Sequence, residues 1–156
     1  MNKKYKGIWF YGNAGTGKSK ASTFLKKIIK NSILLDGDHI RKYVSFDLGY
    51  KIKDREIQIK RVFGLCKIAK QSNIFPIAST VYMNAKIKKM LINQNILPIK
   101  ILRDFDKIKN RKDIYNDKMK YVIGKDLKNP NLRNKLEITN NQTLKKFYNK
   151  LSKIML

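Results

Sequence analysis

Short apolar runs alternate along the chain with segments in which apolar residues recur at helical spacing. The short runs are bounded by glycine, asparagine or aspartate, which is typical of buried strands. They predict five strands, at Tyr5–Gly12, Ser32–Asp38, Asn73–Thr80, Asn95–Leu102 and Glu137–Thr139.

The segments between these runs carry apolar residues three or four positions apart, as on one face of an amphipathic helix. Because strands and helices alternate, the pattern favours an α/β fold with a parallel sheet. The predicted helices are Thr16–Lys30, His39–Val44, a helix capped at Asp54 that runs to Gln71, Ala85–Asn93 and Gln142–Ile154.

The length of 156 residues suits a single domain, and 42% hydrophobic content is enough for a core. Residues 104–132 are the least core-like, and we interpret them as a lid with a substrate loop. The sequence contains no apolar run long enough to span a membrane, and the N-terminus lacks a signal-peptide pattern. With Cys66 as the single cysteine, these features lead us to expect a cytoplasmic protein.

The formal net charge is +25, which raises the question of a nucleic-acid partner. The lysines are spread along the whole chain, and only six of the 36 basic residues are arginine. Proteins that read bases and phosphates favour the bidentate guanidinium of arginine. We therefore interpret the charge as a solvated surface that attracts anionic nucleotides, without a specific nucleic-acid or membrane partner.

A glycine-rich loop follows the first predicted strand and opens the first predicted helix. Its pattern, Gly-x-x-x-x-Gly-Lys-Ser, is that of a phosphate-binding loop in its required setting. Glycines let backbone N–H groups converge on phosphate oxygens, lysine reaches the β- and γ-phosphates, and serine binds Mg²⁺. The sequence therefore predicts a site for Mg-ATP at Gly12, Asn13, Ala14, Gly15, Thr16, Gly17, Lys18 and Ser19.

Two carboxylates lie at the predicted carboxyl end of the second strand, where ligands bind in open parallel sheets. On an extended strand, Asp36 and Asp38 face the same way. One of them can orient Mg²⁺ and the other can accept a hydroxyl proton. The alternative is a turn in which an aspartate caps the helix that follows.

The stretches "GNAGTGKS", "LLDGDHIRKYVSFDLGYKIKDREIQIKR" and "CKIAKQSN" resemble, in order and spacing, the motifs of the adenylylsulfate (APS) kinase family. The second half of the chain is similar more loosely, through "NRKDIY", "IGKD" and "LEIT". The resemblance implies a P-loop kinase fold, a three-layer sandwich around a five-stranded parallel sheet with a lid. It also implies Mg-ATP as donor, the 3′-hydroxyl of a nucleotide as acceptor, and a possible homodimer.

The resemblance also implies a role for each matching residue. Lys18 and Ser19 hold phosphates and Mg²⁺, Asp38 is the base, and Asp36 supports the metal. Arg41 and Arg55 hold the phosphate groups of the acceptor. In the lid segment, Arg111 is a candidate cation for ATP.

The chain departs from the family's pattern around the acceptor. One aromatic position of the family is kept as Tyr50, whereas the other aligns with Val122, which cannot stack on a base. Gln58 replaces an asparagine, and Val81 and Tyr82 replace a conserved motif after the third strand.

These departures resemble the branch of the family that acts on cytidine diphosphoramidate in capsule synthesis, and we expect that acceptor. Adenylylsulfate is the alternative acceptor. A P-loop protein that binds nucleotides or nucleic acid without phosphoryl transfer is the alternative outside enzymes.

Overall fold

A parallel five-stranded sheet forms the middle of the computed structural model, which describes residues 5–108, 118, 120–132 and 136–155. The strands are β1 Gly7–Tyr11, β2 Ser32–Asp36, β3 Phe75–Thr80, β4 Ile96–Leu102 and β5 Glu137–Thr139. Their order in the sheet is β2-β3-β1-β4-β5, so the chain crosses over from one side of the first strand to the other. The helices are α1 Lys18–Ile28, α2 Gly37–Tyr43, α3 Ile52–Gln71, α4 Ala85–Asn93 and α5 Leu144–Met155.

Helices cover both faces of the sheet, and two separate apolar cores lie between the layers. Alternate residues of β1 enter opposite cores, as the pleat requires: Trp9 and Tyr11 pack with α3 and α4, and Ile8 and Phe10 pack with α1 and α5. Every residue of β1 is buried, because it is a central strand of a sheet covered on both faces. The predicted α/β fold with a three-layer sandwich is confirmed.

Four of the five predicted helix starts are corrected. The second helix begins at Gly37 rather than His39, and the last begins at Leu144 rather than Gln142. The first helix begins at Lys18 rather than Thr16, because Gly17 adopts a left-handed conformation with φ 102°. The third helix begins before Asp54, which is not its N-cap. Lys51 holds the N-cap position, and its backbone N–H donates to Asp54 Oδ2 over 3.1 Å. Asp54 thus caps this helix from its third position.

The second strand ends at Asp36, two residues earlier than predicted. Gly37 and Asp38 belong to α2, and the Asp36 side chain accepts from the backbone N–H of Asp38 as its N-cap. The cap alternative therefore applies to Asp36. The two carboxylates do not share a strand face, because the chain turns into a helix between them.

The lid predicted at 104–132 falls partly outside the described residues, as does Arg111. Its described parts are a short 3-10 helix at Phe105–Lys107 and an irregular segment at 120–132. Ile108 is buried and packs toward the phosphate loop at Gly15. The single domain and its lid remain predictions. None of the helices in the described part of the chain has the length and apolar character needed to cross a membrane.

Candidate active site

The phosphate loop wraps from the end of β1 to the start of α1. Gly12, Gly15 and Gly17 all have positive φ values, which glycine adopts without strain. A Cβ on Gly12 would lie 2.3 Å from the carbonyl oxygen of Ile101 in β4, so no other residue fits there. The loop is therefore held against the neighbouring strand, and its positive-φ glycines leave the backbone open to the close approach that phosphate binding requires.

Lys18 is buried at the base of this loop, with 8% of its surface exposed. Its Nζ donates to the carbonyl oxygen of Asn13 over 2.7 Å. Burial lowers the pKa of Lys18 to about 8, and the negative charges of Asp38 and Asp36 only partly offset this. An anion bound in the loop favours the charged form of this lysine.

Asp36 is a buried carboxylate at the carboxyl end of β2. Its Oδ2 accepts from the hydroxyls of Ser19, over 2.8 Å, and Ser79, over 2.7 Å. The Ser19 hydroxyl and the Asp36 carboxylate thus form the oxygen-rich pair expected beside a magnesium ion. No cluster of three or more His, Cys, Asp or Glu side chains occurs among the described residues. Mg²⁺ at this pair fits when phosphates and water supply its other ligands.

Two cavities open at the carboxyl edge of the sheet, and we name them by their walls. The phosphate-loop cavity has a volume of about 420 Å³, and the arginine cavity has a volume of about 600 Å³. The phosphate-loop cavity is lined by loop residues together with Lys20, Asp36, Ser79, Arg103, Asn140, Gln142 and Leu144. The walls common to both cavities are Ala14, Gly37, Asp38, Thr80 and Val81.

Asp38 is exposed in the first turn of α2 and borders both cavities. Its position follows from the cap, because Asp36 fixes the start of α2 and thereby the direction in which the next turn leaves the sheet. A carboxylate between two ligand sites is placed to take a proton from a group in one while charge moves in the other.

Two arginines surround Tyr50 in the arginine cavity. The guanidinium carbons of Arg41 and Arg55 lie 4.6 Å and 5.6 Å from the centre of the Tyr50 ring. Arg55 Nε also donates to the Tyr50 carbonyl over 3.0 Å, and Arg41 Nη1 donates to the Leu48 carbonyl over 3.1 Å. The two predicted phosphate-binding arginines and the predicted aromatic residue therefore form one cluster.

The arginine cavity carries an excess of positive charge. Among the described residues of its wall, Arg41, Arg55 and Lys120 are basic and Asp38 is acidic. Burial lowers the pKa of Arg55, and the nearby charge of Arg41 lowers it further. An anionic ligand relieves this repulsion, so the cavity is suited to phosphate or another acid group.

The remaining predicted acceptor residues also line the arginine cavity. Gln58 is buried, and its Nε2 donates to the Gly37 carbonyl over 3.0 Å. Tyr82 is 6% exposed and belongs to the core on the α3 side, and burial raises the pKa of its hydroxyl. Val81 is half-buried on the wall between the cavities, and Val122 is buried beside the irregular segment.

Sequence reasoning missed two residues of the irregular segment, Lys120 and Tyr121, which line the arginine cavity. Tyr121 has a φ of 59°, and its carbonyl accepts from Arg55 Nη2 over 2.7 Å. Thus a second aromatic residue lies one position before Val122, in a segment with no periodicity to reveal it. Ser79 and Thr80 were also missed, although they follow the same strand-end rule as Asp36.

Comparison with known proteins gives a family-model match over about the first two thirds of the chain. The family model described as adenylylsulphate kinase matches residues 4–107, ending before Lys120 and Val122. The adenylyl-sulfate kinase of Buchnera aphidicola subsp. Acyrthosiphon pisum is 33% identical over 100 residues, covering 59% of this chain and 48% of that protein. That of Bacteroides thetaiotaomicron is 36% identical over 90 residues, covering 55% and 45%. The chain spans about half the length of the curated relatives it matches.

Solved structures share the fold over nearly the whole chain. The APS kinase of Mycobacterium tuberculosis in complex with AMPPNP and APS has a TM-score of 0.82 at 15% identity, covering 97% of this chain and 96% of that one. Shikimate kinase from Acinetobacter baumannii has a TM-score of 0.64 at 14% identity, covering 98% and 92%. The fold is that of P-loop kinases. The adenylylsulphate kinase family model matches well over half of this chain, so the chain belongs to that family.

Proposed function

We propose that the protein transfers the γ-phosphoryl group of ATP to the 3′-hydroxyl of a nucleotide. The observation that carries this proposal is Asp38, an exposed carboxylate on the wall shared by two cavities. One cavity has the glycine loop and Lys18 of a triphosphate site, and the other is basic. A kinase needs this arrangement, since donor and acceptor must meet in line at a base.

In this proposal the phosphate-loop cavity receives the donor. Backbone N–H groups of the loop and Lys18 hold the β- and γ-phosphates, and Ser19 with Asp36 holds Mg²⁺. The metal would supply neutralisation of the charge that develops on the transferred group. Among the loop residues, Lys18 is the cation best placed to follow that charge, because burial keeps it out of water.

The acceptor nucleotide occupies the arginine cavity, with its acid groups near Arg41, Arg55 and Lys120. Asp38 accepts the proton of the 3′-hydroxyl as the oxygen bonds to the γ-phosphorus and the bond to the β-phosphate oxygen breaks. The products are a 3′-phosphorylated nucleotide and ADP. Tyr50 and Tyr121 offer aromatic surface for a base, and Val81 and Val122 offer apolar walls.

For the acceptor we propose cytidine diphosphoramidate, with adenylylsulfate as the second candidate. The relatives described above are adenylyl-sulfate kinases, which favours adenylylsulfate as the acceptor. What supports the pyrimidine is the resemblance, by which Val122 takes the position of an aromatic ring that the family stacks on adenine. Tyr50 and the exposed Tyr121 are then the aromatic surface of the cavity, and a pyrimidine needs less stacking surface than adenine. We expect the enzyme to act in the cytoplasm, and self-association remains an expectation by resemblance.

A panel assay tests the proposal. ADP release from Mg-ATP is measured with cytidine diphosphoramidate, adenylylsulfate, CDP and no acceptor. We expect cytidine diphosphoramidate to give the highest kcat/KM. Preference for adenylylsulfate contradicts the cytidine assignment, and no stimulation by any nucleotide favours a protein that binds nucleotides without transferring phosphate.

Above neutral pH, the binding of ATP is expected to be accompanied by uptake of protons by the protein. The pKa of Lys18 is about 8 in the protein, and bound phosphates raise it. Roughly half a proton is therefore taken up per ATP at pH 8, and the affinity falls as pH rises above that value. Calorimetry with Mg-ATP in buffers of different ionisation enthalpy measures the uptake.

The same titration at pH 6.5 is the control, because Lys18 is then already charged and contributes no uptake. Equal proton uptake at both pH values contradicts the assignment of this effect to Lys18.

A further inference from the structure

One side chain joins three segments that meet beside the two cavities. Asn129 lies half-buried in the irregular segment. Its Nδ2 donates to the Val81 carbonyl over 3.0 Å and to Asn13 Oδ1 over 3.3 Å. Because a carbonyl oxygen can only accept, the contact with Val81 identifies the nitrogen of this amide. The segments joined are the phosphate loop, the end of β3 and the irregular segment.

Both partners of Asn129 adjoin the wall that the two cavities have in common. Val81 is part of that wall, and Asn13 directly precedes Ala14, which is another part of it. Asn13 and Asn129 themselves line neither the phosphate-loop cavity nor the arginine cavity. Asn129 therefore holds two parts of the common wall from outside the space that ligands enter.

The irregular segment is a turn with its own hydrogen bonds. The Val122 carbonyl accepts from the backbone N–H of Asp126 over 2.9 Å, and the Val122 N–H donates to Asp126 Oδ2 over 3.0 Å. Gly124, with a φ of 97°, packs against the phosphate loop, since a Cβ there would lie 2.9 Å from Asn13 Nδ2. The turn thus contacts Asn13 at two places, through Gly124 and through Asn129.

The same turn contributes Lys120 and Tyr121 to the arginine cavity, and Arg55 holds the Tyr121 carbonyl over 2.7 Å. The contacts of Asn129 therefore fix this side of the arginine cavity relative to the phosphate loop. Transfer between two ligands needs their reacting atoms about 3–3.5 Å apart, and a misplacement of about 1 Å can cost about 100-fold in rate.

We propose that Asn129 is a positioning residue that fixes the separation between the donor and acceptor cavities. It contacts neither substrate and acts through Asn13 and the Val81 carbonyl. The proposal rests on the proposed function and deepens it, because this separation matters only when a phosphoryl group passes from one cavity to the other. Loss of the residue slows transfer between nucleotides that are both still bound.

Asn129→Ala removes both donated hydrogen bonds and tests the proposal. Single-turnover rates are measured with saturating Mg-ATP and cytidine diphosphoramidate, or adenylylsulfate if the panel assay selects it. We expect the rate to fall by roughly 10- to 100-fold. The dissociation constants of Mg-AMPPNP and of the acceptor, each measured alone by calorimetry, are expected to change by less than about 3-fold, because the variant leaves every side chain of the cavity walls in place.

Asn131→Ala is the matched control. Asn131 is an exposed residue of the same type in the same segment, and it lines neither cavity. Its rate and both dissociation constants are expected to equal those of the wild type. Thermal unfolding of each variant verifies that the fold is retained.

A double-mutant cycle with Asn13→Ala distinguishes positioning from a local packing defect. If Asn129 acts through Asn13, the double variant loses less rate than the product of the two single losses. Losses that multiply mean that the two residues act independently, which contradicts the proposal. Asn13→Ala also serves if Asn129→Ala fails to fold, because it removes the contact with the phosphate loop and leaves the bond to Val81 in place. Its rate is then expected to fall with both dissociation constants unchanged.

Two further outcomes overturn the role of Asn129. One is a folded Asn129→Ala with the wild-type rate. The other is a loss of rate explained by weaker binding of one nucleotide, since that is damage to a single cavity. Failure of the proposed function looks different: a wild-type protein that phosphorylates no nucleotide overturns that function, and this role with it, whereas either outcome above in an active enzyme overturns only the role of Asn129.

Discussion

Asparagine in place of Asp38 is expected to lower kcat by roughly 10²- to 10⁴-fold, the usual contribution of a general base. The amide is nearly the same size but cannot take the proton of the 3′-hydroxyl. The fold is expected to persist, because Asp38 is exposed and its backbone N–H, rather than its side chain, joins the helix cap. Initial rates and nucleotide dissociation constants measure the two effects separately, and binding is expected to change only a few-fold.

Asp47→Asn is the matched control for this experiment. Asp47 is an exposed carboxylate that pairs with Arg61 and lines neither cavity. Exposed ion pairs contribute little, so turnover is expected to stay at the wild-type level. Turnover of Asp38→Asn within a few-fold of wild type contradicts the role of Asp38 as base.

Methionine in place of Lys18 is expected to have opposite effects on catalysis and on stability. Turnover falls by roughly 10²- to 10³-fold, as for the loss of one positioned group that stabilises charge in the transition state. The free energy of unfolding rises at neutral pH, because the folded protein no longer buries an ammonium group. The lowered pKa means that burying the charged lysine destabilises the folded protein by an amount on the order of 3 kcal/mol. Loss of the hydrogen bond from Lys18 to Asn13 reduces the expected gain by about 1 kcal/mol.

The stability gain of Lys18→Met depends on pH. A lysine with a folded pKa of about 8, against 10.5 unfolded, destabilises the protein fully below pH 8, and the cost fades as pH rises toward 10.5. The stability gain of Lys18→Met is therefore expected at pH 7 and is expected to shrink by pH 10. Thermal unfolding at both values measures it. Lys26→Met, an exposed change in the same helix, is the control; equal stability of wild type and Lys18→Met at pH 7 contradicts the effect.

The strands and the phosphate loop were predictable because their signals are local. A fully apolar β1 followed by the glycine pattern fixes both the strand and the loop that leaves it. The sheet edge then brings Lys18, Ser19 and Asp36 together through the general rule for parallel strands. Lys18 and Ser19 begin α1, and Asp36 ends β2, the next element along the chain. Little tertiary information was therefore needed to predict that they lie together.

The arginine cavity was predictable only in part. Arg41, Tyr50 and Arg55 were identified by resemblance, but their clustering around one ring depends on how the loop between α2 and α3 folds back. Lys120 and Tyr121 come from a segment without periodicity, and Arg55 holds it by one hydrogen bond to a backbone carbonyl. That bond is independent of the identity of residue 121, so no side-chain pattern in the sequence reports it.

The wall common to the two cavities bears on how specificity in this fold can diversify. Five residues are common to both, and Lys120 and Tyr121 belong to the arginine cavity alone. The same irregular segment also touches the phosphate loop, because Asn129 Nδ2 donates to Asn13 Oδ1 over 3.3 Å. A change of acceptor made in this segment therefore has to preserve that contact if bound ATP is to stay in register with the new acceptor.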